Sequence, residues 1–362
     1  MKLADLVKIL ESIAPLQYAE PWDNVGLLAG DPQSPATAAM LAIDLTPAVL
    51  DEAQAAGCDV IIAYHPPIFD AVKKLTAGNM VFEAVRRGMA IYSPHTAWDV
   101  ADGGANDHLA DILGLADRQP LRRIAGKQSQ VKLVTFVPEE NLAAVSQALF
   151  DAGAGRIGNY TSCSFQIKGT GTFIGQEGTN PAVGQAGRFE QVTEIRLETI
   201  VPQEKIGPVI AALRKSHPYE EPAFDLNALA AIPDGKGQGR IGTLDAAPRE
   251  AILDRVKHGL GLTRLLVCGP TTGQITHAAV CAGSCGDLLD DALAAGAQLL
   301  LTGEIRHHAA LKAAQRGMTV ICTLHSNSER SSLRKLKSQI EKSAADLKIA
   351  ISNADRDPFQ IF

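Results

Sequence analysis

Apolar residues along the chain alternate between short continuous runs and segments in which they recur every three or four positions. The first arrangement is typical of strands buried in a parallel sheet, and the second is typical of amphipathic helices. The opening segment predicts such a helix, since Leu3, Leu6, Leu10 and Ile13 share one face. Because strands and helices of similar length alternate over much of the chain, the pattern predicts an α/β fold.

This alternation occurs twice, once near each end of the chain. Residues 38–68 and 277–307 both contain a strand, a turn, an alanine-rich helix that ends at glycine, and a second buried strand. Residues 82–96 and 311–326 extend the match, each with a helix and then a strand that stops at a histidine. The internal repeat predicts two related α/β halves arranged about a pseudo-twofold axis.

A different repeat lies between these halves. Residues 131–155 and 195–219 each predict a strand, a Val-Pro step, an acidic turn and an amphipathic helix, and another candidate strand follows each copy. A duplicated β-α-β unit predicts a ferredoxin-like α+β domain. The predicted organisation is a first α/β half, an inserted ferredoxin-like domain and a second α/β half, at residues 1–127, 128–238 and 239–362.

The composition narrows the classes of protein to consider. Of 362 residues, 46% are hydrophobic and the net charge is −6, which fits a soluble globular protein and provides no basic surface for nucleic acid. No run of about 18 apolar residues occurs, and acidic residues interrupt the first helix, so we expect neither a membrane span nor a signal peptide. Six cysteines without a CxxC pair indicate a reduced, cytoplasmic protein.

Ionisable residues collect where the predicted strands end, which is the usual ligand-binding edge of a parallel sheet. Those of the two halves are Tyr64, His65, His95 and Asp99, followed by Glu304, His307, His308, His325 and Glu329. Imidazole and carboxylate groups together suit Zn, Mn, Fe or Ni. The pattern therefore indicates a divalent-metal site.

Simpler interpretations of the same residues remain open. Ser326-x-x-Glu329 and Thr96-x-x-Asp99 both have the spacing of a helix capping box, and His65 could be a hydrogen-bonded histidine at a strand end. The two capping motifs, however, occupy repeat-related positions, and each stands beside a strand-end histidine. This coincidence favours the metal site.

Five motifs, in order along the chain, resemble the GTP cyclohydrolase 1 type 2 homologue family, also known as the NIF-three-like proteins. They are PWDNVGLLAG (21–30), YHPPIF (64–69), SPHTAWDVADGGAND (93–107), TGEIRHH (302–308) and HSNSER (325–330). The segment between the halves, with HPYEEPAFDL (217–226), resembles the insert of longer members, which is related to the CutA and nitrogen-regulatory folds.

The resemblance implies a dinuclear divalent-metal site in a homohexamer built as a trimer of dimers. It places metal ligands at His65, Asp99, His325 and Glu329, and a fifth ligand, usually histidine, at Tyr64. Because a phenol must lose a proton before it binds a metal ion, we expect one tightly held ion per chain and a weaker second one.

Two functions of different classes follow from these observations. The first is a divalent-metal-dependent hydrolase that acts on a small nucleotide-like substrate, with Glu304 and His95 as catalytic proton carriers. The second is a metal-binding regulatory or interaction protein without turnover, which the likeness of the insert to regulatory folds and the tyrosine at position 64 favour.

Overall fold

The computed structural model of the protein describes residues 1–124, 130–230 and 235–360. These residues form two compact units, which are separated after Ile124 and before Gly235. We call the residues up to 124 and from 235 onward the first unit, and residues 130–230 the second unit. The predicted border between residues 127 and 128 lies outside the described residues.

The N-terminal part of the first unit alternates short strands with helices. Its elements are α1 (Leu3–Ile13), a 3-10 helix (Leu16–Tyr18), β1 (Gly26–Ala29), β2 (Ala38–Ala42), α2 (Pro47–Ala55), β3 (Val60–Ala63), α3 (Met80–Arg86), β4 (Ala90–Ser93), α4 (His95–Val100), α5 (Ala105–Leu113), β5 (Ala116–Gln119) and β6 (Arg122–Arg123). Helix α1 buries Leu3, Leu6 and Leu10 on the face that their spacing predicts. Thr46 caps α2, whose first residue is proline, a combination that favours a helix start.

The second unit follows along the chain and contains two strand–helix–strand segments. Its elements are β7 (Gln130–Pro138), a 3-10 helix (Glu139–Asn141), α6 (Leu142–Asp151), β8 (Ser164–Ile174), β9 (Phe189–Pro202), a second 3-10 helix (Gln203–Lys205), α7 (Ile206–Ser216) and β10 (Phe224–Ala228). All strand pairs are antiparallel, in the order β10-β7-β9-β8. Val145, Leu149, Val209 and Leu213 from the two helices pack on one face of this sheet, and the other face bears no helix of this unit.

The remainder of the first unit again alternates strands and helices. It contains β11 (Gly237–Gln238), β12 (Arg240–Pro248), α8 (Arg249–Leu260), β13 (Leu266–Cys268), β14 (Gln274–Ser284), α9 (Leu288–Ala294), β15 (Leu299–Glu304), α10 (His307–Gln315), β16 (Thr319–Cys322), α11 (His325–Arg330), α12 (Leu333–Ser343) and β17 (Lys348–Ile351). With 12 residues, α8 is the longest helix in the described part of the chain. None of the helices seen there is long and apolar enough to cross a membrane.

Two larger sheets organise the first unit, and each takes an edge strand from the far end of the sequence. Their strand orders are β1-β4-β3-β2-β17 and β13-β16-β15-β14-β12-β5. Strand β17 thus completes the sheet of the N-terminal part, and β5 completes the sheet of the C-terminal part. The structure is a mixed α/β fold with several sheets, as the alternation predicts, but the repeat did not predict this exchange of edge strands.

One hydrophobic core joins the two larger sheets. It includes Leu41 and Ile62 from the first sheet, Val280 and Leu301 from the second, and the fully buried Trp98. Burial of a large apolar side chain contributes about 1.5–3 kcal/mol, so this shared core holds the two sheets in a fixed arrangement. The ends of their strands are therefore fixed relative to one another.

The parallel strands bring the predicted functional residues to common edges. Strands β3 and β4 are parallel neighbours, so His65 and His95, which follow them, lie close together. Strands β15 and β16 are also parallel neighbours, and Glu304 and His325 stand at their carboxyl ends. Pro66 and Pro67 lack the N–H groups that would extend the ladder beyond His65.

Candidate metal centre

Glu329 lies between two imidazole rings that come from different sheets. Its Oε2 atom is 3.2 Å from Nε2 of His65, and its Oε1 atom is 3.4 Å from Nε2 of His325. One nitrogen or oxygen atom from each residue lies within 4.8 Å of the others, so these three residues could hold a metal ion. The structure thus brings together three of the five predicted ligands.

A further carboxylate contacts each imidazole at Nδ1, the ring nitrogen that points away from Glu329. Nδ1 of His65 lies 2.9 Å from Oδ1 of Asp44, and Nδ1 of His325 lies 3.0 Å from Oε1 of Glu304. A carboxylate on the distal nitrogen fixes the ring orientation and makes the other nitrogen a better ligand, as is usual for histidines that bind metals. Both rings therefore present Nε2 to Glu329.

Two buried polar atoms at the centre lack the partners that buried groups normally have. Although His65 Nε2 and Glu329 Oε2 are 3.2 Å apart, neither makes a hydrogen bond within the described residues. Unsatisfied buried groups of this kind are costly, and a cation between them would satisfy both. Since two imidazoles and one carboxylate suit Zn, Fe, Mn or Ni, the residues fit a divalent metal ion.

The electrostatics of the cluster also favour a positive charge at this point. Burial alone lowers the pKa of His65, but contacts with Asp44 and Glu329 outweigh it and raise the pKa to about 10. A bound divalent cation would experience the same attraction.

Asp99 and Tyr64, the other two predicted ligands, pair with each other. The fully buried Tyr64 donates its hydroxyl hydrogen to Oδ1 of Asp99. Burial and the nearby Glu329 raise the pKa of Asp99 to about 7, and burial with the charge of Asp99 raises the pKa of Tyr64 well above its ordinary value. Asp99 is not in the group of three that could hold an ion, and Tyr64 here is a neutral hydrogen-bond donor.

His95 lies beside the cluster, in a strained backbone conformation. Its φ angle of 25° is unusual for a residue other than glycine. Strained backbone conformations of this kind cluster at functional sites. The His95 ring centroid is 5.4 Å from that of His65, and its Nδ1 atom is 2.8 Å from Oδ1 of Asp23. Asp23 also accepts hydrogen bonds from the backbone and side chain of Thr96, so the ring orientation is fixed.

The capping-box interpretations of Asp99 and Glu329 are wrong. The residue before each short helix, Pro94 for α4 and Leu324 for α11, makes no side-chain capping bond. The hydroxyl group of Ser326 instead donates to Asp357. Both acidic residues are thus free of a capping role.

Three residues that shape the site, Asp23, Asp44 and Gly283, were not predicted as site residues from the sequence. Asp23 and Asp44 are distant in sequence from the histidines they contact, so no local spacing reveals them. Gly283 has a φ angle of 64°, and a Cβ atom there would lie 2.6 Å from Oε1 of Glu329 and 3.2 Å from Nε2 of His325. A glycine at the end of a buried strand is a signal of such a close approach.

The cluster opens onto a cavity of about 430 Å³ in the first unit. His95, Asp99, His325 and Glu329 line it, together with Trp22. Trp22 is largely exposed, and its ring is 6.1 Å from that of His95. A volume of this size accommodates a small molecule next to the histidine–carboxylate cluster.

The remaining candidates, His307 and His308, stand at the start of α10 with their rings 5.4 Å apart. Both are exposed and outside the group of three. Glu304, predicted as a catalytic proton carrier, contacts the ring of His325. Its observed contact is therefore with a candidate metal ligand.

The fold and this cluster define an α/β protein with a site suited to a divalent cation. A sequence profile described as Duf34/NIF3 (NGG1p interacting factor 3) matches residues 1–358. The chain belongs to this family.

Curated relatives support the assignment over the full chain. The GTP cyclohydrolase 1 type 2 homolog of Halalkalibacterium halodurans is 37% identical over 371 residues and covers 99% of both chains. The protein of the same name from Mycobacterium tuberculosis is 38% identical over 317 residues, covering 86% of this chain and 83% of its own.

Solved structures show the same fold. A Bacillus cereus protein related to NIF3 has a TM-score of 0.67 at 33% identity, and Staphylococcus aureus protein SA1388 has a TM-score of 0.80 at 27% identity. Each covers 100% of this chain and 99% of its own.

Proposed function

We propose that this protein binds a divalent metal ion at His65, His325 and Glu329 and uses the site to hydrolyse a small nucleotide-like substrate. The observation that carries the proposal is the pair of buried, unsatisfied atoms, His65 Nε2 and Glu329 Oε2, which face each other 3.2 Å apart. The names of the relatives, GTP cyclohydrolase 1 type 2 homologs, support the substrate class. When bound, a divalent cation supplies Lewis-acid activation for hydrolysis.

In this proposal the surrounding carboxylates position the ligands. Asp44 and Glu304 each fix one imidazole through its Nδ1 atom, so that both Nε2 atoms point to the same place. Glu304 therefore acts as a positioning residue, although the sequence suggested a proton carrier. The role follows from its contact with His325.

His95 is the better-placed proton carrier. Asp23 fixes its Nδ1 atom, which leaves Nε2 as the nitrogen that can exchange a proton with a substrate in the cavity. This pairing of imidazole and carboxylate resembles the arrangement that orients a general base in other hydrolases.

The second metal position of the predicted dinuclear site would involve Asp99. The hydroxyl of Tyr64 occupies one oxygen of Asp99 with a hydrogen bond, at the position where the family resemblance places a histidine ligand. We therefore propose one tightly held ion per chain and a weak second position.

The finer architectural predictions are also part of the proposal. The strand order β10-β7-β9-β8, with two helices on one face, supports a ferredoxin-like second unit. The pairs His95/Asp99 and His325/Glu329, each four residues apart at the start of a short helix, support pseudo-twofold symmetry of the first unit. The resemblance to the family supports a homohexamer, which light scattering of the purified protein tests.

The hydrolase is tested by incubating the metal-loaded protein with GTP and following the loss of purine absorbance, then extending the assay to other nucleotides and to amides. Turnover should disappear in His65→Ala and persist in His258→Ala, a matched substitution of an exposed histidine on α8. Metal binding without turnover on the whole panel would contradict the hydrolase and support the alternative, a metal-binding regulatory protein.

A further inference from the structure

The segment after β17, residues 352–360, reaches the elements that carry the metal centre without supplying a candidate ligand. Its residue Asp355 is only 6% exposed, although aspartate is rarely buried unless it is paired. Oγ of Ser352 accepts the backbone N–H of Asp355 at 3.1 Å. A local turn therefore places Asp355, while its side chain contacts distant parts of the first unit.

One contact of the Asp355 side chain reaches the strand end that supports His65. Oδ2 of Asp355 accepts the backbone N–H of Ile43, the residue after β2, at 2.7 Å. The Ile43 carbonyl accepts the backbone N–H of His65 at 2.9 Å, and the next residue, Asp44, contacts Nδ1 of the His65 ring. Because Ile43 and Asp44 both hold His65, the hydrogen bond from Ile43 to Asp355 helps to fix the position of that imidazole.

The other contact reaches α11, the short helix that carries His325 and Glu329. Oδ2 of Asp355 forms an ion pair with the guanidinium group of Arg330, which directly follows Glu329. The same guanidinium donates to the Asp355 carbonyl at 2.9 Å and to Oγ of Ser326 at 3.1 Å. Since Ser326 directly follows His325, Arg330 connects Asp355 to the helix next to both candidate ligands.

Stability alone is a weak explanation for this buried ion pair. Oδ1 of Asp355 is buried and makes no hydrogen bond within the described residues. The desolvation of a buried ion pair can exceed the attraction between its charges, and an unsatisfied oxygen adds to that cost. A carboxylate that joins the two sides of a binding site has a role besides stability.

We propose that Asp355 is a positioning residue for the metal centre, which holds His65 at a fixed distance from His325 and Glu329. The inference rests on the proposed metal site. Without the Asp355 carboxylate, the end of β2 and helix α11 would each keep their other contacts but could shift relative to each other. Such a shift weakens metal binding, because the ligands of an ion must be held in a defined geometry by the residues around them.

The test measures the affinity of the full-length protein for Zn²⁺ by competition with a chelating dye. Asp355→Asn keeps an acceptor for Ile43 but removes the charge that holds Arg330, so the affinity should fall about tenfold. Arg330→Lys keeps the charge but lacks the planar fork that contacts Asp355 and Ser326 together, and it should weaken binding about threefold or more. An unchanged affinity in both variants would overturn the inference.

Glu52→Gln is the matched control. The Glu52 carboxylate accepts hydrogen bonds from the Ser352 hydroxyl and the Asn353 backbone, so it anchors the same segment. In the described part of the chain it makes no hydrogen bond or ion pair with Ile43 or Arg330. Glu52→Gln should lower the thermal unfolding midpoint and leave the Zn²⁺ affinity unchanged. An equal loss of affinity in this control would overturn the inference, because general destabilisation would then explain it.

The visible absorption of bound Co²⁺ provides a readout that a purely structural role would not change. At saturating Co²⁺, the absorption bands report the arrangement of the ligands rather than the affinity. The bands should change in Asp355→Asn and stay unchanged in Glu52→Gln. Identical spectra of Asp355→Asn and the unmodified protein would contradict the positioning role alone. Failure of the unmodified protein to bind either ion would refute the metal site and, with it, this inference.

Discussion

The Glu329 carboxylate faces two imidazoles, and another carboxylate contacts the Nδ1 atom of each ring. Asp44 contacts His65 and Glu304 contacts His325, so the chain repeats the same arrangement on both sides of Glu329. Five ionisable groups concentrated at one point are unfavourable without a compensating charge. A bound metal ion would supply that charge, and the alignment of both rings fits such a site.

At the residue scale, substitution of Asp44 should weaken the binding of the metal ion without removing a ligand. Asp44→Asn leaves all three candidate ligands in place but makes the His65 ring less basic and less well oriented. We expect the affinity for Zn²⁺ to fall about 10–100-fold, measured by competition with a chelating dye. Asp51→Asn, an exposed aspartate on α2, serves as the control, and an unchanged affinity in Asp44→Asn would mean that the contact has no role in binding.

Tyr64 limits the number of ions per chain in this account. Tyr64→His would place an imidazole beside Asp99, where the native side chain only donates a hydrogen bond. Elemental analysis should then find the metal content rising from about one to about two ions per chain, because imidazole is a good ligand at neutral pH. Two tightly held ions in the unmodified protein would refute this explanation.

At the scale of elements, the parallel strands determine which residues meet. Neighbouring parallel strands place His65 near His95 and Glu304 near His325, and the shared core fixes one sheet against the other. The regular strand–helix alternation made it possible to predict from the sequence that these residues lie close together. The exchange of β5 and β17 was not, because edge strands of four residues carry no sequence signal of the sheet that they join.

In the second unit, the stability of the sheet should depend on pH through His217. Burial lowers the pKa of this histidine below its ordinary 6.5, although the Phe136 carbonyl and the charge of Glu194 oppose the effect. Below pH 6.5 the unfolded chain therefore binds a proton that the folded unit does not, so stability is lost as the pH falls through that value.

Amide hydrogen exchange of β7 and β9, corrected for the intrinsic pH dependence, measures this effect. Protection should decrease from about pH 7 to about pH 5 in the unmodified protein and change little in His217→Asn, whose side chain does not titrate. The same pH dependence in both proteins would rule out His217 as its origin.

At the scale of the whole molecule, the second unit is inserted in the sequence between two segments of the first unit that pair with each other. Strands β6 and β11 pair with Arg123 opposite Gly237, and the N–H of Ile124 donates to the carbonyl of Lys236 at 3.0 Å. Joining residues 124 and 235 through an Asn-Gly turn would close this ladder as a hairpin.

This shortened chain should fold and keep its metal, since the shared core and the three candidate ligands all lie in the first unit. Circular dichroism and elemental analysis check both expectations against the full-length protein. An insoluble or metal-free product would show that the first unit depends on the second.

The sequence predicted more of the fold than of the site. Repeats and strand ends indicated His65, His325 and Glu329, because residues at the carboxyl ends of parallel strands share an edge. The supports Asp23 and Asp44 could not be predicted, since each contact joins residues distant in sequence and depends on the final packing. The hydrogen bond from Tyr64 to Asp99 could not be predicted for the same reason.

The most direct test of the account is anomalous X-ray scattering at the zinc edge from crystals of the Zn²⁺-loaded protein. We predict a strong anomalous peak bounded by Nε2 of His65, Nε2 of His325 and the Glu329 carboxylate, absent in Glu329→Gln. A map with no peak among these three residues, in crystals whose fluorescence scan shows bound zinc, would contradict the central claim.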